Sequence, residues 1–185
     1  MNTKIQNTVI RRDHPILTWS LHILLGSLFL VGCSQIEVPI GPVPVTLQTL
    51  GVFLLALFQG SQKSFLSTCL YLGAATVALP VLSGWSANPL WMVGPCGGYL
   101  ISFPIAAYVI GKLTEKQKHL SYLHIIFSLG MGQIITYLLG FLWLSIQFGV
   151  KIAIMTGVVP FLWPAVLKVF CAASLKKGVV QWQHQ

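Results

Sequence analysis

The sequence predicts an all-α integral membrane protein, a single domain in which a compact bundle of six transmembrane helices spans the bilayer. Hydrophobic residues make up 55% of the 185 residues and charged residues only 8%, and the mean hydropathy is +0.80. This composition leaves too few polar side chains to cover a soluble domain. Because a transmembrane helix needs about 20 mostly apolar residues, six such helices leave no room for a second domain.

The positive charges predict an even number of crossings with both chain ends in the cytoplasm. Loops that stay in the cytoplasm are enriched in Lys and Arg. Under the six-helix assignment, Lys151 is the only cation in the loops of one side, and nine of the eleven cations lie on the other. We therefore expect cytoplasmic tails at 1–14 and 177–185, a bundle at about 15–176, and no role for nucleic acid in the net charge of +8. The nine cations are Lys4, Arg11, Arg12, Lys63, Lys112, Lys116, Lys118, Lys176 and Lys177.

The first apolar segment, residues 16–34, is predicted to be a retained helix rather than a cleaved signal peptide. It follows two arginines, but no small-x-small cleavage pattern leads from it into a polar mature chain. Ser20, Gly26 and Ser27 would let a second helix approach closely, as small residues do in membranes.

A proline-rich connection at residues 40–51 separates the first two apolar segments. Pro42 and Pro44 fix their own φ and favour extended backbone before them, so this connection is predicted to be stiff. The second segment, residues 45–58, would be only about 21 Å long, whereas the hydrocarbon core is about 30 Å thick. We expect it to extend toward Lys63 or to lie recessed behind the connection.

A full-length third segment at 64–82 leads into an outer loop, residues 83–95, which mixes aromatic, polar, glycine and proline residues. Trp85 and Trp91 are typical of the aromatic belt at a membrane surface. Asn88 carries both a donor and an acceptor, and the loop around it offers few polar partners. A binding role is therefore a second interpretation for this loop.

The fourth segment, residues 97–113, begins with two glycines followed by Tyr99. At Gly98 a backbone without a side chain can approach a ligand or another helix closely. The charged residues 114–119 that follow are interpreted as a short connector that reflects topology, with contact to anionic lipid or a partner as a second interpretation.

The last third of the chain is predicted to contain two more crossings. The fifth segment, residues 122–146, includes Gln133, which we expect to form an interhelical hydrogen bond. Residues 147–159 are weakly amphipathic and are expected to lie along the outer interface. Pro160 is then predicted to turn the chain into the sixth segment, residues 161–175.

Lys168 is the residue that is hardest to place in a membrane, because it lies about 12 Å from either end of the sixth segment. A cation at a helix centre costs about 2.5 to 3.5 kcal/mol on insertion scales, and snorkelling of the stem relieves part of that cost. The acids Asp13, Glu37 and Glu115 all lie outside the predicted segments. The compensating group is therefore a ligand carboxylate, a lipid headgroup or backbone carbonyls freed by nearby prolines.

Three stretches carry glycine, proline and polar residues at the borders of apolar segments: IGPVPVTLQTLG at 40–51, GPCGGYLISF at 94–103 and GVVPFLWPAVLK at 157–168. In this order and at these separations they resemble the signatures of the BioY family of biotin transporters, and the resemblance covers about 17–175. It implies a bacterial inner-membrane protein that captures biotin. Such a protein works alone or as the S component of an energy-coupling-factor importer, with a transmembrane coupling subunit and ABC-type ATPases as partners.

The resemblance also implies a ligand site in the outer half of the chain. In the family, an aspartate and a lysine three residues later on the last helix serve ligand binding, and these positions correspond to Ala165 and Lys168. The lysine is expected to meet the biotin carboxylate, whereas the acceptor of the aspartate is missing. Apolar walls are expected from Phe161, Trp163, Trp85, Trp91 and Tyr99 with Gly98 beside them, and ureido contacts from Asn88, Gln48 or Ser86.

Two other functions stay open. A capture subunit for another carboxylated vitamin is compatible with the alanine at 165. An intramembrane enzyme would need acids or histidines clustered at helical spacing, which the sequence lacks. No GxxxxGK[ST] motif occurs, so any ATP must be hydrolysed by other chains. The four cysteines have neither CxxC nor Cys/His spacing, so no metal site, disulfide framework or cofactor is predicted.

Overall fold

A computed structural model describes residues 15–39, 42–117 and 120–182 of the chain. The predicted N-terminal tail with Lys4, Arg11 and Arg12 lies outside the described residues, as do residues 40–41, Lys118 and 183–185. The described part is mostly helical. Its elements are α1 (Pro15–Ser34), β1 (Glu37–Val38), β2 (Val45–Thr46), α2 (Gln48–Thr76), a 3-10 turn (Ser83–Trp85), α3 (Gly97–Thr114), α4 (Tyr122–Phe148), α5 (Val150–Ile152), a π-helical stretch (Ala153–Val158) and α6 (Val159–Trp182).

Three helical stretches of the described chain are long and apolar enough to cross a membrane. They are Ile16–Ser34, Tyr122–Phe148 and Val150–Val180. Their outward faces are apolar as well, with Leu138 and Leu167 more than half exposed. Helices that are apolar on all sides are typical of proteins surrounded by lipid. The predicted class, an all-helical membrane protein, agrees with these properties.

The long helix α2 reverses direction at Gly60. This residue has φ of 76° and ψ of −177°, a backbone conformation that glycine tolerates and other residues rarely adopt. Gln48 and Tyr71 would lie about 34 Å apart on a straight helix. Instead, Gln48 Nε2 donates a hydrogen bond of 2.6 Å to the Tyr71 hydroxyl. The two halves, residues 48–59 and 61–76, therefore lie side by side and run antiparallel.

The predicted count of six helices is not confirmed. The element α2 covers most of both segments predicted at 45–58 and 64–82, with the kink at Gly60 between its halves, so the described residues contain five long helices. The second predicted segment begins three residues late, because Val45 and Thr46 pair with Val38 and Glu37 as β-strands.

Two ionic side chains complete the helix ends at this reversal. The Glu115 carboxylate accepts hydrogen bonds from the Ser61 backbone N–H (2.9 Å) and hydroxyl (2.7 Å), and Lys176 Nζ donates to the Leu57 carbonyl (2.7 Å). A carboxylate at a helix N-terminus and an ammonium at a C-terminus both have the favourable sign for the helix dipole. We call these contacts the hairpin clamp. Glu115 therefore has a structural role that the interpretation of 114–119 as a connector did not include.

The hairpin clamp predicts a pH dependence of stability. The pKa of Glu115 is lowered from 4.5, first by the Ser61 backbone N–H and then by the Ser61 hydroxyl. Because the folded-state pKa is lowered, the stabilisation is present above the ordinary pKa and is lost as the pH falls through the lowered value. We expect the thermal midpoint in detergent to decrease when the pH is lowered below about 4.5. The matched variant Glu115→Gln keeps an acceptor oxygen but does not titrate, so its midpoint should fall less. Parallel pH profiles would contradict the prediction.

Helix α3 lies between α2 and α4, and glycines bring the three together. A side chain at Gly111 would collide with the backbone of Gly60 and Ser61, and one at Gly140 would collide with the ring of Tyr99. Small residues permit such close approach of membrane helices. The buried centre of the bundle includes Leu30, Phe53, Tyr71, Ile110, Ile125 and Leu129.

The last helical stretch runs from Val150 through α5 and the π-helical turns into α6. The prediction that Pro160 turns the chain is therefore wrong, because the helix continues through this residue. That residues 147–159 lie along the outer interface stays a prediction. A proline inside a helix lacks a donor, and a local π adjustment directly before it accommodates that loss. The break between α4 and α5 falls instead at Gly149, with φ of 83°.

Candidate ligand-binding site

A cavity of about 180 Å³ lies where the proline-rich connection and the outer loop meet α3, α4 and α6. Its polar and apolar lining residues come from parts of the chain that are far apart in sequence. The lining residues are Val43, Pro44, Thr46, Gln48, Thr49, Leu82, Ser83, Ser86, Asn88, Trp91, Gly94, Pro95, Cys96, Tyr99, Leu100, Phe103, Gln133, Thr136, Tyr137, Phe161, Ala165 and Lys168.

Lys168 lies in this wall and is only 9% exposed. Its Nζ donates hydrogen bonds of 2.6 Å to the Thr46 carbonyl and 2.7 Å to the Thr49 hydroxyl. One of the predicted alternatives, a backbone carbonyl, is therefore present, but it belongs to the connection and not to the prolines of α6. Since an ammonium has three donors, one remains for a ligand. No acidic residue is among the cavity-lining residues that the structure describes.

The short β-hairpin places the two acceptors of Lys168. Val45 and Thr46 pair with Val38 and Glu37, and the Leu47 N–H donates to the Ile36 carbonyl at 3.0 Å. The backbone carbonyl of Thr46 is thereby held beside the first turn of α2. The Lys168 side chain thus joins the connection to the last helix.

The two predicted ureido partners lie in the cavity wall, but their carbonyl oxygens already have donors. Gln48 Oε1 accepts from the Thr46 hydroxyl at 3.0 Å, and Gln48 Nε2 donates to Tyr71. Asn88 Oδ1 accepts from the Leu90 N–H at 3.0 Å within its own loop. The loop therefore supplies Asn88 with a partner that its composition did not suggest. Ser86, the third residue considered for this role, also lines the cavity.

Aromatic side chains form the apolar part of the wall. The rings of Tyr99 and Phe161 stack with centroids 6.1 Å apart, and the Tyr99 hydroxyl donates to the Gly157 carbonyl at 2.8 Å. Trp91 is 3% exposed, and its Nε1 donates to the Thr76 hydroxyl at 3.1 Å. Both contacts fix the rings in position beside the cavity.

Three residues predicted for the site lie outside the cavity. Trp85 and Trp163 are 64% and 74% exposed, which is typical of tryptophans facing lipid or the membrane surface. Gly98 is buried against α4, where an added side chain would collide with Trp143 and with the Leu139 carbonyl. Of the two roles considered for Gly98, the structure therefore provides helix packing.

Helix α4 contributes a row of cavity residues that sequence reasoning missed, namely Gln133, Thr136 and Tyr137. The side-chain oxygen of Gln133 does not form the interhelical hydrogen bond expected for this residue. Its Oε1 is buried with no hydrogen-bond partner in the described part of the chain. The i, i+3, i+4 spacing of three polar residues on an apolar helix was the available signal, since such residues share one face.

Ala165 lies in the wall one turn before Lys168 and is 7% exposed. Its methyl group leaves this position without a hydrogen-bonding group. The described residues contain no cluster of three His, Cys, Asp or Glu side chains that could hold a metal ion, and the four cysteines are free. The cavity thus combines aromatic walls, one buried cation and one unpaired amide oxygen.

Comparison with known proteins agrees with the sequence resemblance. The model of the BioY family matches residues 5–185. The "Probable biotin transporter BioY" of Pyrococcus horikoshii is 39% identical over 156 residues, which cover 84% of this chain and 91% of that protein. The "Biotin transporter BioY" of Thermotoga maritima is 36% identical over 153 residues, which cover 82% and 89%.

The fold also matches a solved structure, the S-component for biotin from an ECF-type ABC transporter. The TM-score is 0.81, and the match covers 93% of this chain and 95% of that one. The two sequences are 22% identical, so this likeness speaks for the fold alone.

Proposed function

The chain belongs to the BioY family, and from this membership we propose that it binds biotin and serves its uptake across the membrane. The family is one of transporters, so the chain is not an enzyme. The observation that carries the proposed binding mode is Lys168, a buried cation in a cavity whose described lining has no acid. The biotin carboxylate complements the ammonium, and its apolar thioether ring complements the aromatic walls formed by Trp91, Tyr99 and Phe161.

The sequence has no P-loop motif, so any ATP used for uptake must be hydrolysed by other chains. We propose that the chain acts as a substrate-capture subunit, with a transmembrane coupling subunit and ABC-type ATPases as partners. The likeness to an S-component supports this assembly at the level of the fold. Transport by the solitary chain is the alternative, and uptake by cells that express only this chain distinguishes the two.

Isothermal titration of purified protein with a panel of vitamins tests the ligand. Biotin should bind more tightly than other carboxylated vitamins and more tightly than its own amide. A second candidate, another carboxylated vitamin, is favoured by one observation, the methyl group of Ala165 at the position of the family's aspartate. Tighter binding of such a vitamin than of biotin would replace the proposed ligand.

We further propose six crossings of a bacterial inner membrane with both chain ends in the cytoplasm, each half of α2 counting as one crossing. The reversal at Gly60 and the antiparallel halves of α2 support this count. The basic residues near the hairpin clamp, among them Lys63, Lys112 and Lys176, support a cytoplasmic position for that end.

Cysteine labelling in intact cells tests this topology. In a background without the four native cysteines, a membrane-impermeant maleimide should label Val38→Cys and Ala87→Cys in intact cells. It should label Lys116→Cys only after the cells are opened, because this position lies at the hairpin clamp end. All three positions are exposed in the structure. The reverse pattern at any of them would contradict the proposed orientation.

A further inference from the structure

We propose that the side-chain oxygen of Gln133 accepts a hydrogen bond from a ureido N–H of the ligand. This inference rests on the proposed function, since it takes biotin as the molecule in the cavity. It assigns the end of the ligand opposite the carboxylate to a residue of α4. Neither the sequence motifs nor the family's aspartate position point to that helix.

The packing of α4 explains why Gln133 lies in the cavity wall. Gly132 lies so close to Ile110 of α3 that a side chain there would collide with it, and Gly140 packs in the same way against Tyr99. These contacts fix the helix against α3 and leave Gln133, one residue further along, in the cavity wall. The residue is 9% exposed, so bulk water is largely excluded from it.

The neighbouring polar groups of α4 do not need a ligand. The Thr136 hydroxyl donates to the Gly132 carbonyl at 3.0 Å, and the Tyr137 hydroxyl donates to the Phe161 carbonyl at 2.7 Å. Gln133 Oε1 is different, because it is buried without a partner among the described residues. A buried acceptor without a donor is unfavourable, and a ligand that supplies the donor removes that penalty.

The other two side-chain amide oxygens in the described lining each already accept one hydrogen bond. Gln48 Oε1 accepts from Thr46, and Asn88 Oδ1 accepts from the Leu90 N–H. Ala165 offers no acceptor. Gln133 differs from Gln48 and Asn88, because its amide oxygen is buried and accepts no hydrogen bond from the described residues.

The chemistry of the ligand matches this arrangement. A ureido ring carries two N–H donors and one carbonyl acceptor, and a neutral amide oxygen pairs with such a donor without placing a second charge in the membrane. Lys168 at the carboxylate and Gln133 at the ureido group would then select for a molecule that has both. An aliphatic carboxylate without an N–H group would satisfy only the lysine.

Two cyclic carbamate analogues of biotin, each with one ureido N–H replaced by a ring oxygen, test the inference with nearly unchanged ligand shape. Wild-type protein should bind one of them roughly tenfold to hundredfold more weakly than biotin. Gln133→Leu should lose biotin affinity by the same factor and should no longer discriminate between biotin and that analogue. The matched control Ser128→Ala, which removes a polar group from α4 outside the cavity lining, should discriminate as wild type does.

The outcomes separate this inference from the proposed function. Biotin binding that is unchanged in a folded Gln133→Leu protein would overturn the inference and leave the function intact. If that variant does not fold, wild-type protein that binds both carbamates as tightly as biotin would overturn it as well. Wild-type protein that binds no biotin would overturn the proposed function and the inference together.

Discussion

A Lys168→Met variant is expected to bind biotin roughly tenfold to hundredfold more weakly than the wild type. A hydrogen bond to a charged group contributes about 1.5 to 3 kcal/mol, which corresponds to that range of affinity. Methionine keeps most of the apolar volume of the lysine stem, so the substitution leaves no large gap in the cavity wall. Isothermal titration of both proteins with biotin measures the difference.

The amide of biotin provides the ligand control for this variant. It carries no charge, so replacing Lys168 should weaken the amide less than biotin and narrow the gap between the two ligands. Thr49→Val provides the protein control, because it removes one acceptor of the lysine and leaves the ammonium in place. This variant should retain the preference for biotin. An equal loss of both ligands in a folded Lys168→Met protein would show that the lysine holds the connection and not the carboxylate.

A Gly98→Ala variant is expected to lose thermal stability strongly, through the packing of α3 against α4. The added methyl group would meet Trp143 and the Leu139 carbonyl, and backbone atoms of a packed helix have little room to move. Extra methyl groups in a tightly packed core typically cost about 1 to 3 kcal/mol, and a collision with backbone lies at the upper end of that range. The thermal midpoint in detergent measures the loss.

Gly130→Ala is the matched control, since it lies on α4 and an added methyl group there meets no atom within 4 Å. It should leave the midpoint unchanged or raise it slightly, because alanine favours helix over glycine. If Gly98→Ala instead keeps the wild-type midpoint and loses biotin affinity, the glycine serves the ligand rather than the helix contact.

Composition and periodic apolar runs were sufficient to predict the membrane class and three of the helices. The predicted segments 16–34, 97–113 and 122–146 agree with α1, α3 and α4 to within two residues at each end. Lys168 could be singled out because a cation so far from a helix end is costly wherever the helix packs. These properties depend on local composition and not on which elements become neighbours.

The remaining features depend on contacts between distant parts of the chain. The two apolar segments on either side of Lys63 predict that the chain turns back between them, but not that it does so at Gly60. Glu115 is recognisable as a cap only once it meets Ser61. Trp163 belongs to the same motif as Phe161 but faces outward, because residues two positions apart on a helix point to nearly opposite sides. Gln133 could be recognised as a candidate site residue only from the structure, which shows that its side-chain oxygen is buried without a hydrogen-bond partner among the described residues.

The hairpin clamp also provides a measure of depth. From Gln48 to Leu57 the first half of α2 covers about 14 Å, and from Lys168 to Lys176 helix α6 covers about 12 Å. Both distances connect the cavity to the clamp, since Lys176 binds the Leu57 carbonyl. The hydrocarbon core of a bilayer is about 30 Å thick. With the hairpin clamp at the cytoplasmic surface, as the proposed orientation has it, a ligand held at Lys168 would lie roughly halfway through the hydrocarbon core.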